Sequence, residues 1–158
     1  MAVSIVRLEG EQKVSTNTTS SQEKPSTTAL ADGGWVVTWQ SYGQDGERYG
    51  IYQQRYNADG SLSGTEQQVN THTTSSQEKP SVTALADGGW VVTWQSHAQD
   101  GSDRGIYQQR YNADGSLSGT EQQVNTHTTS SQEKPSVTAL ADGGWVVTWQ
   151  SDGQDGSG

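Results

Sequence analysis

The 158-residue chain contains no cysteine and no phenylalanine, and only 28% of its residues are hydrophobic. Each shortage excludes something. Without cysteine, no disulfide holds the fold and no thiolate site binds a metal. Nine basic residues stand against eighteen acidic ones, for a net charge of −9 and a pI near 4.5. An acidic chain lacks the basic patch that nucleic acid or an anionic membrane surface requires. No run of about 18 apolar residues exists, so no transmembrane helix is expected. The opening MAVSIVRLEG has an apolar run too short for a secretory signal. An ordinary globular domain is roughly 45–50% apolar, and a shortfall of this size is typical of disorder. Six Trp and six Tyr oppose that reading, because they recur at fixed positions and bury much area each.

What the chain does have is a repeat. SSQEKPS begins at Ser20, Ser75 and Ser130, a step of 55 residues each time. Between Glu11–Thr65 and Glu66–Thr120, 46 positions are identical and 9 differ; between Glu66–Asp103 and Glu121–Gly158, 35 are identical and 3 differ. The array reads as a non-repeat strand over 1–10, repeats over 11–65 and 66–120, and a partial repeat over 121–158. A period of this length marks units that bury their apolar faces only by stacking on neighbours. Recent duplication in a natural array and deliberate symmetrisation by an engineer both produce such near-identity.

One unit reads as four strands. Pro80–Ala86 alternates, and Asp87-Gly88-Gly89 is a hairpin signal. Trp90–Ser96 is β-branched and aromatic on both faces. After the polar loop 97–105, Ile106–Tyr111 is a third strand; Asp114-Gly115 turns into the polar Ser118–Val124. No 3.6-residue apolar period occurs, so no helix is expected. Four strands in about 50 residues, graded from apolar to polar, predict a β-propeller of four-stranded antiparallel blades, about three per chain. A sandwich wants about seven strands per domain and a solenoid a shorter coil.

ALADGGWVVTWQS, QDG and GIYQQRYNADGS resemble the tryptophan-rich tandem repeat of very large bacterial surface or secreted proteins, a repeat also suited to symmetric designer propellers. The resemblance covers Glu11 to Gly158. It implies an extracellular or cell-surface setting and no catalytic residue.

Three blades do not close a ring of four to eight. The third repeat has only its first two strands, whereas Val3–Leu8, a Glu9-Gly10 turn and Glu11–Ser15 read as a hairpin able to complete it, within one chain or in the next. The expected partner is therefore the chain itself, as a head-to-tail ring with a dimer favoured; the alternative is a piece of a longer array.

His72, His97 and His127 form no metal-ligand spacing, and no G-x-S-x-G or phosphate-loop motif occurs. Calcium is the candidate ion, at Asp45, Asp100, Asp103 and Asp155 in the Gln-Asp-Gly loops. The structural alternative is plain Asp-Gly turn chemistry, since the EF-hand pattern is missing. Arg55 and Arg110 are expected to pair with Glu23, Glu78 or Glu133 between blades. Eight of the nine differences between the first two repeats, positions 13, 15, 17, 42, 43, 47, 48 and 49, fall in two connections that emerge on one face of an up-and-down blade. Tyr42, Tyr49, His97 and Arg104 on that face are the candidate ligand-binding residues. The expected function is a non-catalytic structural or interaction module, with a lectin-like glycan-binding propeller and a calcium-dependent adhesin module as alternatives. No enzyme activity is expected.

Overall fold

A computed structural model describes residues 2–7 and 10–156. All described secondary structure is β, with no helix. Strands β1 (Ser4–Arg7) and β2 (Gly10–Lys13) form a two-stranded hairpin. β3 (Gln22–Ala29), β4 (Trp35–Tyr42), β5 (Tyr49–Tyr56) and β6 (Leu62–Gln68) form a four-stranded antiparallel sheet in sequence order. β7 (Gln77–Ala84), β8 (Trp90–His97), β9 (Arg104–Tyr111) and β10 (Gln122–Gln123) form a second. β11 (Gln132–Ala139) and β12 (Trp145–Ser151) form a pair equivalent to the first two strands of each full sheet. The expected turn at Glu9-Gly10 lies partly outside the described residues.

The first strand of each unit starts earlier than its alternation implies. β7 begins at Gln77, three residues before Pro80, because the ladder shifts register between Glu78 and Ser81. The bulge residue Lys79 sits at φ 54°, as Lys24 and Lys134 do at 53° and 54°. Left-handed lysine is uncommon and is held here by its surroundings. The Lys79 N–H donates to Gln40 Oε1 of the preceding sheet at 2.9 Å, and the Lys134 N–H to Gln95 Oε1 at 3.0 Å. The fourth strand of the second sheet is shorter than expected. Ser118–Val124 is reduced to Gln122–Gln123 plus a bridge from Leu117 to Tyr111, with Gly119 kinked at φ 80°.

The apolar core lies between sheets as well as within them. β8 is buried along Trp90–Ser96, on both faces. Its Trp90 stacks on Tyr111 with centroids 5.2 Å apart, and Trp35 stacks on Tyr56 in the same way. Gly89 makes room for that stack, because a Cβ there would lie 2.3 Å from the Tyr111 carbonyl oxygen. Leu30, Val36 and Ile51 of the first sheet pack with Val82, Trp90, Val92 and Trp94 of the second. First strands also meet across sheets. The Val82 and Ala84 N–H groups donate to Ser26 Oγ and Thr28 Oγ1, and Val137 and Ala139 repeat this with Ser81 and Thr83.

The expected pairing of Arg55 and Arg110 with inter-unit glutamates is not what forms. Arg55 Nη2 binds Asp32 Oδ2 at 2.6 Å and Arg110 binds Asp87, both within one sheet. The Asp-Gly-Gly hairpin brings its carboxylate to the third strand, nearer than any glutamate of the next unit.

Trp90 is 1% exposed, and its indole N–H donates to Gln53 Oε1 at 2.9 Å across the sheet boundary. Trp90→Ala is expected to cost about 3–5 kcal/mol. Denaturant unfolding checks this, and a loss under about 1 kcal/mol would contradict the packing described.

Candidate functional site

The four candidate ligand residues occupy one structural position in two successive sheets. Tyr42 pairs with Tyr49 at the ends of β4 and β5, and His97 pairs with Arg104 at the ends of β8 and β9. The Tyr42 and Tyr49 rings meet edge to face, 5.1 Å apart. Burial pushes the Tyr49 hydroxyl up in pKa, and the nearby carboxylates of Glu23 and Glu78 add to the shift. In the next sheet Arg104 Nη1 lies 2.9 Å from Glu133 Oε1 and 3.6 Å from Asp103 Oδ1, while His97 Nε2 lies 3.4 Å from Asp103 Oδ1. Asp103 Oδ2 accepts from Ser131 Oγ at 2.6 Å.

Sequence reasoning treated Glu23, Glu78 and Glu133 only as structural partners. The structure puts them at this position instead. Each stands one residue before the left-handed lysine, at the start of the first strand of its sheet. First strands pack against one another from sheet to sheet, so one carboxylate per sheet is carried along the same edge. The glutamates are identical in sequence but differ in setting. Glu133 is ion-paired with Arg104, whereas Glu78 accepts from the Gln95 amide at 3.2 Å, and the Tyr49 hydroxyl is hydrogen-bonded to Glu23. The available signal was the repeated Glu-Lys-Pro, whose middle residue breaks the ladder.

The segment before each first strand reaches the end of the second strand here. The Tyr42 N–H donates to Ser21 O and the His97 N–H to Ser76 O. The differences at 42 and 49, seen again as 97 and 104, give near-identical units chemically unlike surroundings at this edge.

A second recurring feature lies between sheets. A pocket of about 140 Å³ is lined by Gln53, Arg55, Thr65, Gln67, Trp90 and Asp114, among others. One repeat later a pocket of about 170 Å³ is lined by Gln108, Arg110, Thr120, Gln122 and Trp145. Each arginine stands 5.7 Å from the centre of the following tryptophan ring. Each lining sets amides, hydroxyls and a guanidinium beside an indole.

The calcium candidates have other partners. Asp45 accepts from the Glu47 N–H and the Gln68 amide, and Asp100 from the Ser102 N–H and the Gln123 amide. Asp103 is engaged by Arg104, His97 and Ser131, and Asp155 lies exposed in the matching turn of the third unit. Among the described residues no group of three or more His, Cys, Asp or Glu stands ready to hold a metal.

No protein-family model matches the chain, and no curated protein sequence does. Solved structures do match in fold. An endo-arabinase from Bacteroides thetaiotaomicron VPI-5482 aligns with a TM-score of 0.56 at 17% identity, covering 86% of this chain and 53% of that one. An endo-1,4-beta-xylanase from the same organism aligns with a TM-score of 0.55 at 13% identity, covering 90% and 52%. The chain thus spans about half the length of each neighbour. These likenesses show an all-β fold shared with glycoside hydrolases. They overturn the expectation of a non-catalytic structural or interaction module, because the fold is one that carries glycoside hydrolysis. The differences between repeats give Glu78 and Glu133 unlike surroundings.

Two outcomes follow. Burial, with Asp100 and Glu121 nearby, pushes the Tyr107 hydroxyl up to about 12. A raised folded-state value means that its contribution is complete below the unfolded pKa of about 10 and is lost as pH rises toward 12. Melting temperature is therefore expected to fall between pH 9 and pH 12, and a flat profile would contradict the burial. If the Asp-Gly loops are turns, melting is unchanged between excess chelator and millimolar calcium; a rise with calcium would assign an ion to them.

Proposed function

We propose that this chain belongs to a carbohydrate-active β-propeller, with its four-stranded sheets as blades, and that it acts on the glycosidic bonds of a plant-type polysaccharide. The observation that carries the proposal is the pair Glu78 and Glu133. They are two carboxylates on adjacent first strands, placed in unlike surroundings by the residues that differ between repeats. The likeness in fold to an endo-arabinase and an endo-xylanase supports it.

Glycoside hydrolysis needs two carboxyl groups with different duties. One protonates the leaving oxygen, and the other stabilises or attacks the sugar's anomeric carbon, directly or through water. Glu133, ion-paired with Arg104, is assigned the charged role. Glu78, held by a neutral amide, is assigned proton donation. Tyr42, 47% exposed, offers a ring face on which a sugar stacks.

Release of reducing ends from arabinan and from xylan tests this. The expected result is measurable hydrolysis of at least one polymer, reduced about 100-fold or more in Glu78→Gln and in Glu133→Gln, since an acid or base contributes about 10²–10⁴-fold. Polymer binding with no hydrolysis, or hydrolysis indifferent to both substitutions, would contradict the assignment.

A further inference from the structure

The hairpin at one end of the array and the strand pair at the other are complementary halves of one sheet. The Val14 N–H donates to Val3 O at 3.1 Å, as Val69 donates to Ile51 and Val124 to Ile106. Val3 therefore takes the place of Ile51, and β1 and β2 take the places of the third and fourth strands of a sheet. β11 and β12 take the places of a first and second strand, since Trp145, Trp149 and Gln150 correspond to Trp35, Trp39 and Gln40. Among the described residues each half pairs only within itself. The outer edges of β1 and β12 thus present unpaired backbone groups, and exposed edges of this kind are templates for pairing.

We infer that the outer edge of β12 pairs with β1 of a second copy of this chain, and that two copies close head to tail into a ring of six four-stranded sheets. The register follows from the complete sheet, in which Gln40 faces Ile51 and Ser41 faces Gly50. Transferred to the junction, Gln150 faces Val3 and Ser151 faces Ala2 of the partner.

Two observations converge on a second copy as the occupant. First, both halves are already docked. Val3 and Val14 are buried against Val37, Trp39, Tyr52 and Tyr56 of the first sheet, and Val137 packs against Leu85 and Val91 of the second. Second, the polar seam repeats. Lys79, Val82 and Ala84 donate to Gln40, Ser26 and Thr28 of the sheet before them. Lys134, Val137 and Ala139 repeat the set with Gln95, Ser81 and Thr83. The third set at this step is Lys24, Thr27 and Ala29 on β3, with Gln150, Ser136 and Thr138 as acceptors. Those two groups lie at opposite ends of the chain and meet when another copy's third sheet precedes the first. Two copies, each with two whole sheets and two halves, give six, within the four to eight that close a propeller. A head-to-tail contact that closes is a ring, and one that does not is a filament.

Ala2→Cys with Ser151→Cys tests the junction in a chain that has no other cysteine. Opposed residues of a hydrogen-bonded antiparallel pair have Cα atoms about 5.5 Å apart, within disulfide range. Under mild oxidation the expected product is a covalent dimer of twice the 17.0 kDa chain mass. A single chain bridged to itself, a ladder of longer polymers, or chains that stay unlinked would each overturn the closed dimer. Light scattering on the unsubstituted protein keeps the test independent of the cysteines: one species at twice the chain mass is expected, and a stable monomer would overturn the inference. Ser4→Pro removes an edge N–H that points away from β2, and it is expected to weaken dimerisation at least tenfold. Unchanged dimerisation would place the junction elsewhere.

Discussion

Glutamine side chains reaching from one sheet to the next are the interaction on which the rest of this structure depends. Gln40 and Gln95 are nearly fully buried, and each accepts the backbone N–H of a left-handed lysine in the following sheet. Gln53 and Gln108 accept the indole N–H of the following Trp90 and Trp145. A buried amide without partners costs about 1–3 kcal/mol, whereas a satisfied one fixes geometry. This accounts for a chain that folds with 28% hydrophobic residues. The core is apolar in its tryptophan, tyrosine and valine layers and is closed by amides that bond only when the sheets stack in the correct register.

The same seam places the glutamates. The lysine that donates across it follows Glu78 or Glu133 directly, so the bulge that satisfies Gln40 or Gln95 also sets the position of the carboxylate. A bulge re-aims a side chain at the end of a ladder, and here one does so in every unit. The scaffold thus delivers one glutamate per sheet to a common edge, and the β4–β5 and β8–β9 connections decide what each glutamate meets. Near-perfect repetition and a chemically uneven site are compatible, because the few substitutions fall on the connections that surround the repeated acid.

Much of the fold was legible in the sequence. The 55-residue period, the Asp-Gly-Gly and Asp-Gly turns and the two-sided apolarity of Trp90–Ser96 all translate directly into strand order and burial. Less was legible at the strand starts. Nothing in Gln-Glu-Lys-Pro suggests a strand interrupted by a left-handed lysine, since that conformation is sustained by an acceptor 39 residues away in sequence. The partners of Arg55 and Arg110 were also hidden, because local charge pattern does not reveal that a hairpin turn folds back over the third strand. Tyr42, Tyr49, His97 and Arg104 stand out as candidates through the differences between repeats. Their glutamate neighbours do not, because they do not differ.

The seam is tested most directly by native-state hydrogen exchange at the Lys79 and Lys134 amides. If the inter-sheet glutamines hold the array together, these two N–H groups, at bulges next to proline, exchange as slowly as the central strands β4 and β8 and open only with global unfolding. Exchange at the rate of the exposed turns, with β4 and β8 still protected, would show that the sheets are held by apolar packing alone and would contradict the account.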